Sequence, residues 1–274
     1  MREVIARYGL MAKKSLGQNF LLDLNLTAKI ARAAGELAGL NVIEVGPGPG
    51  GLTRALLDTG AKCIYAVERD DRCLEALRGL ADVAGGRLVL KAENALETDY
   101  ESLCSAPRVL VANLPYNIAT PLLISWLKHI HFFKSLTLMF QREVADRLAA
   151  VPRSKEYGRL SIITQWICTV EKAFDIPPSA FTPPPKVTSS VVHLVPRGKR
   201  AGDVAFETME KVTASAFGQR RKMLRQSLKT LGVDTEKLLL EANITPTARA
   251  EEIDVAGFVR LCQAFEGFSV STKV

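Results

Sequence analysis

The chain alternates short apolar runs with longer segments of helical periodicity, a pattern typical of a parallel sheet flanked by helices. The runs that predict strands are Asn41–Val45, Cys63–Val67, Arg87–Leu90, Arg108–Ala112, Leu136–Phe140 and the Val-rich Val187–Leu194. A helical pattern at residues 26–37 precedes the first of them. We therefore predict an α/β domain that binds its ligands at the carboxyl ends of the strands.

The pattern changes after Pro196, where the polar segment 196–202 (PRGKRAG) has the composition of a linker. Beyond it only helical periodicities occur, at residues 206–217, 220–231, 234–241 and 254–265. We predict two domains: residues 1–196, with an amino-terminal basic arm over about residues 1–25, and a small all-α domain at residues 197–274.

Composition limits the class of protein. The 274 residues are 47% hydrophobic and 24% charged, as in ordinary globular proteins. No apolar stretch is long enough to cross a bilayer and no secretory pattern begins the chain, so we expect a cytoplasmic protein without membrane contact. The cysteines form no C-x-x-C pair, which favours reduced thiols and no metal site. They are Cys63, Cys73, Cys104, Cys168 and Cys262.

The formal net charge of +7 favours a polyanionic partner. Two clusters carry much of it: Lys13 and Lys14 in the arm, and a denser group in the tail made of Arg220, Arg221, Lys222, Arg225 and Lys229. On a continuous helix Arg221, Arg225 and Lys229 would share one face. That face would be either a phosphate-contacting stripe or simply a solvated surface, and the pattern alone leaves both open.

A glycine-rich loop, Glu44–Gly51, closes the first strand and opens a helix near Leu52. Gly46, Gly48 and Gly51 fit G-x-G-x-x-G, a spacing that lets backbone approach a ligand closely. Glu68 ends the second strand at the distance expected of an acceptor for ribose hydroxyls. These features fit any adenosine-containing cofactor and do not choose between NAD and S-adenosylmethionine.

Residues after the next two strands favour S-adenosylmethionine. Asn94 follows the third strand, where its amide can accept from an adenine amino group or cap a turn. Asn113-Leu114-Pro115-Tyr116 follows the fourth. Its amide oxygen and a main-chain carbonyl near Leu114 or Pro115 could hold both N–H bonds of an exocyclic amine, Pro115 would fix the turn, and Tyr116 could stack on the base. This segment predicts methyl transfer to a flat, amine-bearing base.

Four segments together resemble the ribosomal RNA adenine dimethylase family. They are residues 14–21 (KSLGQNFL), 44–51 (EVGPGPGG), 113–116 (NLPY) and 181–187 (FTPPPKV). The resemblance extends over nearly the whole chain, including the helical tail. It implies a Rossmann-like class I methyltransferase fold with a mostly parallel seven-stranded sheet and a small all-α carboxyl-terminal domain that binds RNA or the ribosome.

The resemblance also implies which residues bind the cofactor and the target base. Its S-adenosylmethionine residues would be Asn19, Leu21, Gly46, Gly48, Glu68, Asn94 and Asn113. Tyr116 and Phe181 would sandwich the target adenine, although position alone favours a core role for Phe181. The family usually has Asp where this chain has Asn94, and a neutral amide is the weaker acceptor.

The implied reaction is dimethylation of two adjacent adenosines in a hairpin loop near the 3′ end of small-subunit rRNA, within an assembling ribosomal particle and by a monomer. Three alternatives stay open at this point: a large-subunit rRNA adenine methylase, a non-catalytic RNA-binding assembly or transcription factor, and a nicotinamide oxidoreductase. The long helical tail argues against the first alternative and the intact Asn113–Tyr116 segment against the second.

Overall fold

The computed structural model describes residues 2–10 and 18–271. The helices are α1 (Arg2–Arg7), α2 (Leu24–Ala33), α3 (Gly51–Leu57), α4 (Asp71–Val83), α5 (Tyr116–Lys128), α6 (Arg142–Ala149), α7 (Arg159–Ile167), α8 (Phe206–Gly218), α9 (Leu224–Ser227), α10 (Thr235–Glu241) and α11 (Val255–Ser271). The strands are β1 (Phe20–Leu21), β2 (Asn41–Val45), β3 (Cys63–Glu68), β4 (Leu88–Ala92), β5 (Arg108–Asn113), β6 (Ser135–Gln141), β7 (Cys168–Ile176), β8 (Phe181–Thr182) and β9 (Ser189–Pro196). Among the described residues no helix combines the length and apolarity needed to span a membrane.

Seven strands form one sheet in the order β4, β3, β2, β5, β6, β9, β7. The first five are mutually parallel, and β9 runs antiparallel to β6. The predicted mostly parallel, seven-stranded sheet is therefore confirmed. After β2 the chain adds β3 and β4 on one side of that strand, and β5 then pairs with β2 on its other side. A ligand cleft is expected at the carboxyl ends of β2 and β5, where this reversal occurs.

The sequence pattern located six of the seven strands and missed β7. Polar and charged residues, among them Glu171, Lys172 and Asp175, interrupt its apolar positions. The strand lies at one end of the sheet order and exposes alternate residues. One face of an edge strand can be polar, so a search for continuous apolar runs does not detect it.

The chain divides into two compact units. The sheet unit comprises residues 1–145 and 171–196, and the helical unit comprises residues 146–170 and 197–274. One division falls at the polar segment after Pro196, where the sequence placed a linker. The assignment of residues 146–170 to the helical unit has no signal in the sequence pattern, and the functional assignment of the two predicted domains stays a prediction.

The predicted continuous helix at residues 220–231 is wrong. Residues 219–223 form an irregular turn, α9 begins at Leu224, and a 3-10 turn follows at Leu228–Leu231. Met223 has an extended backbone and forms an isolated antiparallel bridge with Arg249. This long-range pairing competes with the helical conformation, so Arg221, Arg225 and Lys229 do not lie along one continuous helix.

Candidate active site

A cavity in the sheet unit brings together every residue that the sequence analysis assigned to cofactor binding or catalysis. Those in its wall are Asn19, Leu21, Gly46, Gly48, Glu68, Asn94, Asn113, Leu114, Pro115, Tyr116 and Phe181. The empty space, mouth included, is about 1250 Å³. It lies where the reversal of strand order predicts a ligand cleft. The position of these residues is thus a structural fact, while their individual roles stay predictions.

The arm enters the cavity through a two-stranded ladder. Strands β1 and β8 pair antiparallel, with Leu21 opposite Phe181. Just before this ladder, the Gln18 side-chain amide donates to Asp70 Oδ2 at 3.1 Å. The guanidinium of Arg72 hydrogen-bonds to the same carboxylate and holds the pKa of Asp70 down to about 2. Asp70 therefore stays ionised and anchors the arm beside the cavity.

The glycine loop forms a narrow cradle of backbone. Gly46 and Gly48 have φ angles of +69° and +54°, in the left-handed region that favours glycine. A Cβ at Gly48 would lie 3.2 Å from the Phe20 ring, and one at Gly46 would lie 3.6 Å from the Asn113 carbonyl oxygen. The loop is thus close to both the arm and the end of β5, as a ligand held between these elements requires.

Glu68 ties the glycine loop to the end of β3. Its Oε2 accepts from the Gly48 N–H at 3.2 Å, and its Oε1 accepts from the N–H groups of Arg69 and Asp70 at 2.8 and 2.9 Å. Burial raises the pKa of Glu68, and these N–H donors oppose the shift. The carboxylate is held in one orientation in the cavity wall, where it can accept from ligand hydroxyls.

Asn94 has its side-chain amide oriented from both sides. Its Oδ1 accepts from the Leu96 N–H at 3.3 Å, and its Nδ2 donates to Glu97 Oε1 at 2.9 Å. A flipped amide would place donor against donor and acceptor against acceptor. The residue therefore stabilises a turn and also lies in the cavity wall, and its contact with an adenine amino group stays a prediction.

Asn113 ends β5 with an open amide. Within residues 2–10 and 18–271 its side chain has no hydrogen-bond partner. The neighbouring Pro115 carbonyl accepts from the Ile118 N–H at 3.1 Å as α5 begins. That bond leaves the Leu114 carbonyl as the candidate for the second acceptor. The two acceptors suit an exocyclic amine, because such a group carries two N–H bonds.

Two aromatic residues line the same cavity. Phe181 is 3% exposed and belongs to the apolar core as well as to the cavity wall. Tyr116, the first residue of α5, is half-buried, and its hydroxyl lies 2.6 Å from Ser189 Oγ. Burial raises the pKa of Tyr116, so its hydroxyl is neutral near pH 7. Phe181 is thus both a core residue and a wall residue, and its stacking on the target adenine stays a prediction.

Glu44 lies behind the glycine loop and is 1% exposed. Burial raises the pKa of its carboxyl to about 8, which the nearby Thr53 side chain partly opposes. Among the described residues neither carboxyl oxygen meets hydrogen-bond geometry, and neither does Thr53 Oγ1. Glu44 is consequently protonated near neutral pH, which removes the cost of a buried charge.

The basic residues predicted to bind RNA have different surroundings. Lys13 and Lys14 lie outside the described residues. In the helical unit Arg221, Lys222, Arg225 and Lys229 are exposed. Arg220, in contrast, donates to Glu251 Oε2 at 2.8 Å and to the Ser154 carbonyl at 3.1 Å. Its charge is therefore paired within the protein.

Sequence reasoning missed two residues of the cavity wall and two residues that hydrogen-bond to it. Gln18 and Phe20 were within the quoted arm motif but were given no role, although both line the cavity. Ser189, which contacts Tyr116, had no local signal because 73 residues separate the two. Glu97 also had no local signal in the sequence, because an exposed Glu after a turn has no distinctive pattern.

Comparison with known proteins finds extensive sequence similarity. A family model described as ribosomal RNA adenine dimethylase matches residues 9–266. Ribosomal RNA small subunit methyltransferase A of Paramagnetospirillum magneticum is 59% identical over 97% of this chain and 94% of its own length. The protein of the same name from Xanthobacter autotrophicus is 61% identical over 97% of this chain and 93% of its own.

Two solved structures have the same fold. A dimethyladenosine transferase from Plasmodium falciparum has a TM-score of 0.80 at 26% identity, covering 91% of this chain and 98% of that one. The 23S rRNA methyltransferase ErmE has a TM-score of 0.68 at 25% identity, covering 90% of this chain and 100% of that one. The Rossmann-like methyltransferase fold implied by the sequence resemblance is thus confirmed.

Proposed function

The chain belongs to the ribosomal RNA adenine dimethylase family, and we propose that it dimethylates N6 of two adjacent adenosines in the 3′-terminal hairpin loop of small-subunit (16S) rRNA. The relatives that are 59% and 61% identical over 97% of the chain support the small subunit as the target. The methyl donor in this proposal is S-adenosylmethionine, whose sulfonium supplies an electrophilic methyl group when it is bound.

The observation that carries the proposal is the open amide of Asn113 in a cavity wall shared with Tyr116 and Phe181. The lone pair of an adenine amine is conjugated with the ring, which makes the amine a poor nucleophile. Acceptance of both N–H bonds by Asn113 Oδ1 and the Leu114 carbonyl would draw the nitrogen toward tetrahedral geometry. No side chain need act as general base, since an amine that has just gained a methyl group loses its proton readily.

The cofactor residues proposed are Asn19, Leu21, Gly46, Gly48, Glu68, Asn94 and Asn113. Among them, Glu68 would accept from the ribose hydroxyls and Asn94 from the adenine amino group. The aromatic pair Tyr116 and Phe181 would stack on the target base, which offsets part of the cost of removing it from its hairpin, at about 1–3 kcal/mol per stacked base. The basic residues of the tail would contact rRNA phosphates.

The substrate we propose is an assembling small ribosomal subunit, which the protein would meet as a monomer in the cytoplasm during ribosome biogenesis. The direct test is incubation with radiolabelled S-adenosylmethionine and immature small subunits that lack the modification. We expect label on N6 of two adjacent adenosines of the 3′-terminal hairpin. Absence of label from adenine N6 would refute the enzymatic proposal.

Similarity to ErmE gives a second candidate, methylation of large-subunit rRNA. The same assay with immature large subunits separates the two, since we expect label only in the small subunit. A non-catalytic RNA-binding factor would bind small subunits and leave both kinds of particle unlabelled.

A further inference from the structure

The loop between β4 and β5 forms part of the cavity wall without regular secondary structure of its own. It spans residues 93–107. The strand before it, β4, lies at one end of the sheet order, so only one neighbouring strand holds the start of the loop. Four consecutive loop residues line the cavity: Glu93, Asn94, Ala95 and Leu96. The position of this part of the wall therefore depends on contacts that the loop makes outside the sheet.

Tyr100 provides such a contact. Its hydroxyl donates to the Ala95 carbonyl at 2.7 Å, between the wall residues Asn94 and Leu96. The Tyr100 side chain is buried. Burial raises the pKa of Tyr100, which the nearby Trp126 side chain partly opposes. The hydroxyl consequently keeps its proton near pH 7 and acts as the donor.

Two buried aromatic rings hold the Tyr100 ring in place. Its centroid lies 5.8 Å from that of Trp126 and 6.1 Å from that of Phe133, both in edge-to-face geometry. Such pairs favour one relative orientation of the rings. Trp126 lies in the last turn of α5, the helix that begins at Tyr116. Tyr100 thus attaches one wall of the cavity to the packed core beneath α5.

The rest of the loop is anchored separately. At its start, the Glu93 N–H donates to the Glu68 carbonyl at 3.1 Å. After Tyr100, the Arg108 guanidinium donates from Nη2 to the Glu101 carbonyl at 2.6 Å. The Tyr100 hydroxyl therefore holds the stretch of wall that lies between these two anchors.

We propose that Tyr100 is a positioning residue for cofactor binding, which holds Asn94 and Leu96 against the adenosine half of S-adenosylmethionine. The inference rests on the proposed function, because it takes this cofactor to be the ligand of the cavity. Tyr100 does not occur among the described residues that line the cavity, so it acts through its neighbours. A loop already held in its bound geometry loses less conformational freedom when the ligand arrives.

The test compares Tyr100→Phe with Tyr157→Phe in the full chain. Tyr157 is a matched control in the helical unit: it is buried, its ring lies edge-on to Phe217, and its hydroxyl donates to the Ile253 carbonyl at 3.0 Å. Each change removes one hydroxyl and leaves one carbonyl without its tyrosine donor. Urea unfolding of both variants measures their stability, so that a general loss of stability is distinguished from a local effect on the cavity.

Calorimetric titration with S-adenosylhomocysteine gives the main result. Tyr100→Phe should raise the Kd by about 3–10-fold, the effect of one hydrogen bond, and Tyr157→Phe should leave it unchanged. The same loss is expected with 5′-methylthioadenosine, which keeps the adenosine half and lacks the amino acid half. In methylation of immature small subunits, Tyr100→Phe should raise KM for S-adenosylmethionine by the same factor and leave kcat at saturating cofactor unchanged.

Three outcomes would contradict the inference. Equal Kd values for the two variants would give Tyr100 a role in stability alone. A lower kcat at saturating cofactor with an unchanged Kd would mean that Tyr100 acts through α5 on the target base. Failure of the wild type to bind S-adenosylhomocysteine would overturn the inference together with the proposed cofactor. Binding without label on either particle would refute the proposed substrate alone, and the ratio of Kd values would still decide the role of Tyr100.

Discussion

The side-chain oxygens of Tyr116 and Ser189 lie 2.6 Å apart, although 73 residues separate them in the sequence. Ser189 is fully buried at the start of β9, opposite Gln141 of β6 in the antiparallel ladder. This ladder places the serine beside the first residue of α5. The hydrogen bond restricts rotation of the Tyr116 ring, so the proposed stacking surface is already oriented before the target base arrives.

Loss of this hydrogen bond should slow methyl transfer, and it should do so only because the Tyr116 ring is no longer held in its orientation. We expect Ser189→Ala and Tyr116→Phe each to lower kcat, and Ser189→Ala to have no further effect in the Tyr116→Phe background. Ser189→Thr, which keeps a hydroxyl, should retain more activity than Ser189→Ala. The single Tyr116→Phe change also leaves the buried Ser189 hydroxyl unpaired, at about 1–3 kcal/mol of unfolding free energy. Additive losses in the double variant would show that Ser189 acts by another route.

Removal of the open amide of Asn113 should abolish most transfer while leaving RNA binding intact. We expect Asn113→Ala to lower kcat by about 10²–10³-fold, the effect of removing one preorganised hydrogen-bonding group from an active site. Asn25→Ala, at an exposed position of α2, is the control. Single-turnover methylation and particle binding are measured side by side. An Asn113→Ala rate equal to that of the wild type would contradict the proposed acceptor role.

The orientation of the Asn94 amide should set the preference for adenine over hypoxanthine in the cofactor. Glu97 holds Nδ2, which leaves Oδ1 to accept from the adenine amino group. Glu97→Ala should allow some amide flipping and reduce the preference for S-adenosylhomocysteine over S-inosylhomocysteine, by about 3–10-fold for the loss of one exposed hydrogen bond. Calorimetric titration of both ligands measures this ratio.

Asn94→Asp supplies the matched background, because both carboxylate oxygens accept and the side chain needs no orientation. In that background Glu97→Ala should leave the ratio unchanged. An equal effect of Glu97→Ala in both backgrounds would assign Glu97 a role other than orienting Asn94.

A methyl group at Gly48 should disturb the arm and the cofactor site together. A Cβ there would lie 3.2 Å from the Phe20 ring, and the φ of +54° adds about 1–2 kcal/mol of strain for a non-glycine residue. Gly86→Ala is the control, since its φ of +79° imposes comparable strain with no atom within 4 Å of the added Cβ. Gly48→Ala should therefore weaken S-adenosylmethionine binding, and Gly86→Ala should not. Equal affinities in the two variants would contradict the cradle described above.

The buried carboxyl of Glu44 should make stability depend on pH. Its pKa is about 8 in the folded protein and 4.5 in the unfolded chain. A raised folded pKa contributes stability that is fully present below pH 4.5 and is lost as the pH rises to 8. Glu44→Gln cannot ionise, so its unfolding free energy should rise relative to wild type between pH 5.5 and 8, by at most about 1.4 kcal/mol per pH unit.

Urea unfolding at several pH values measures this difference, with Glu75→Gln on the exposed face of α4 as the control. Parallel pH profiles for wild type and Glu44→Gln would show that Glu44 is ionised in the folded protein.

The sequence by itself determined the alternation of strands and helices, the glycine loop, and the Asn113–Tyr116 segment. Each of these depends on residues adjacent in the chain, through side-chain periodicity, turn chemistry or the conformational freedom of glycine. Because parallel strands end at the same edge of a sheet, the order of the motifs was enough to collect the predicted residues that end or follow β2, β3, β4 and β5 in one cavity. Leu21 and Phe181 reach it through the separate β1–β8 pair.

Only the tertiary structure decided which distant groups meet. It gave Tyr116 its partner Ser189 and joined Arg220 to Glu251 and to the Ser154 carbonyl. It also divided the predicted helix at residues 220–231 into an irregular turn, α9 and a 3-10 turn, because Met223 pairs with Arg249. These outcomes depend on strand register and on the packing of residues 26 to 73 positions apart in the chain. Local propensity carries no information about such contacts, since their energies arise only when the chain has folded.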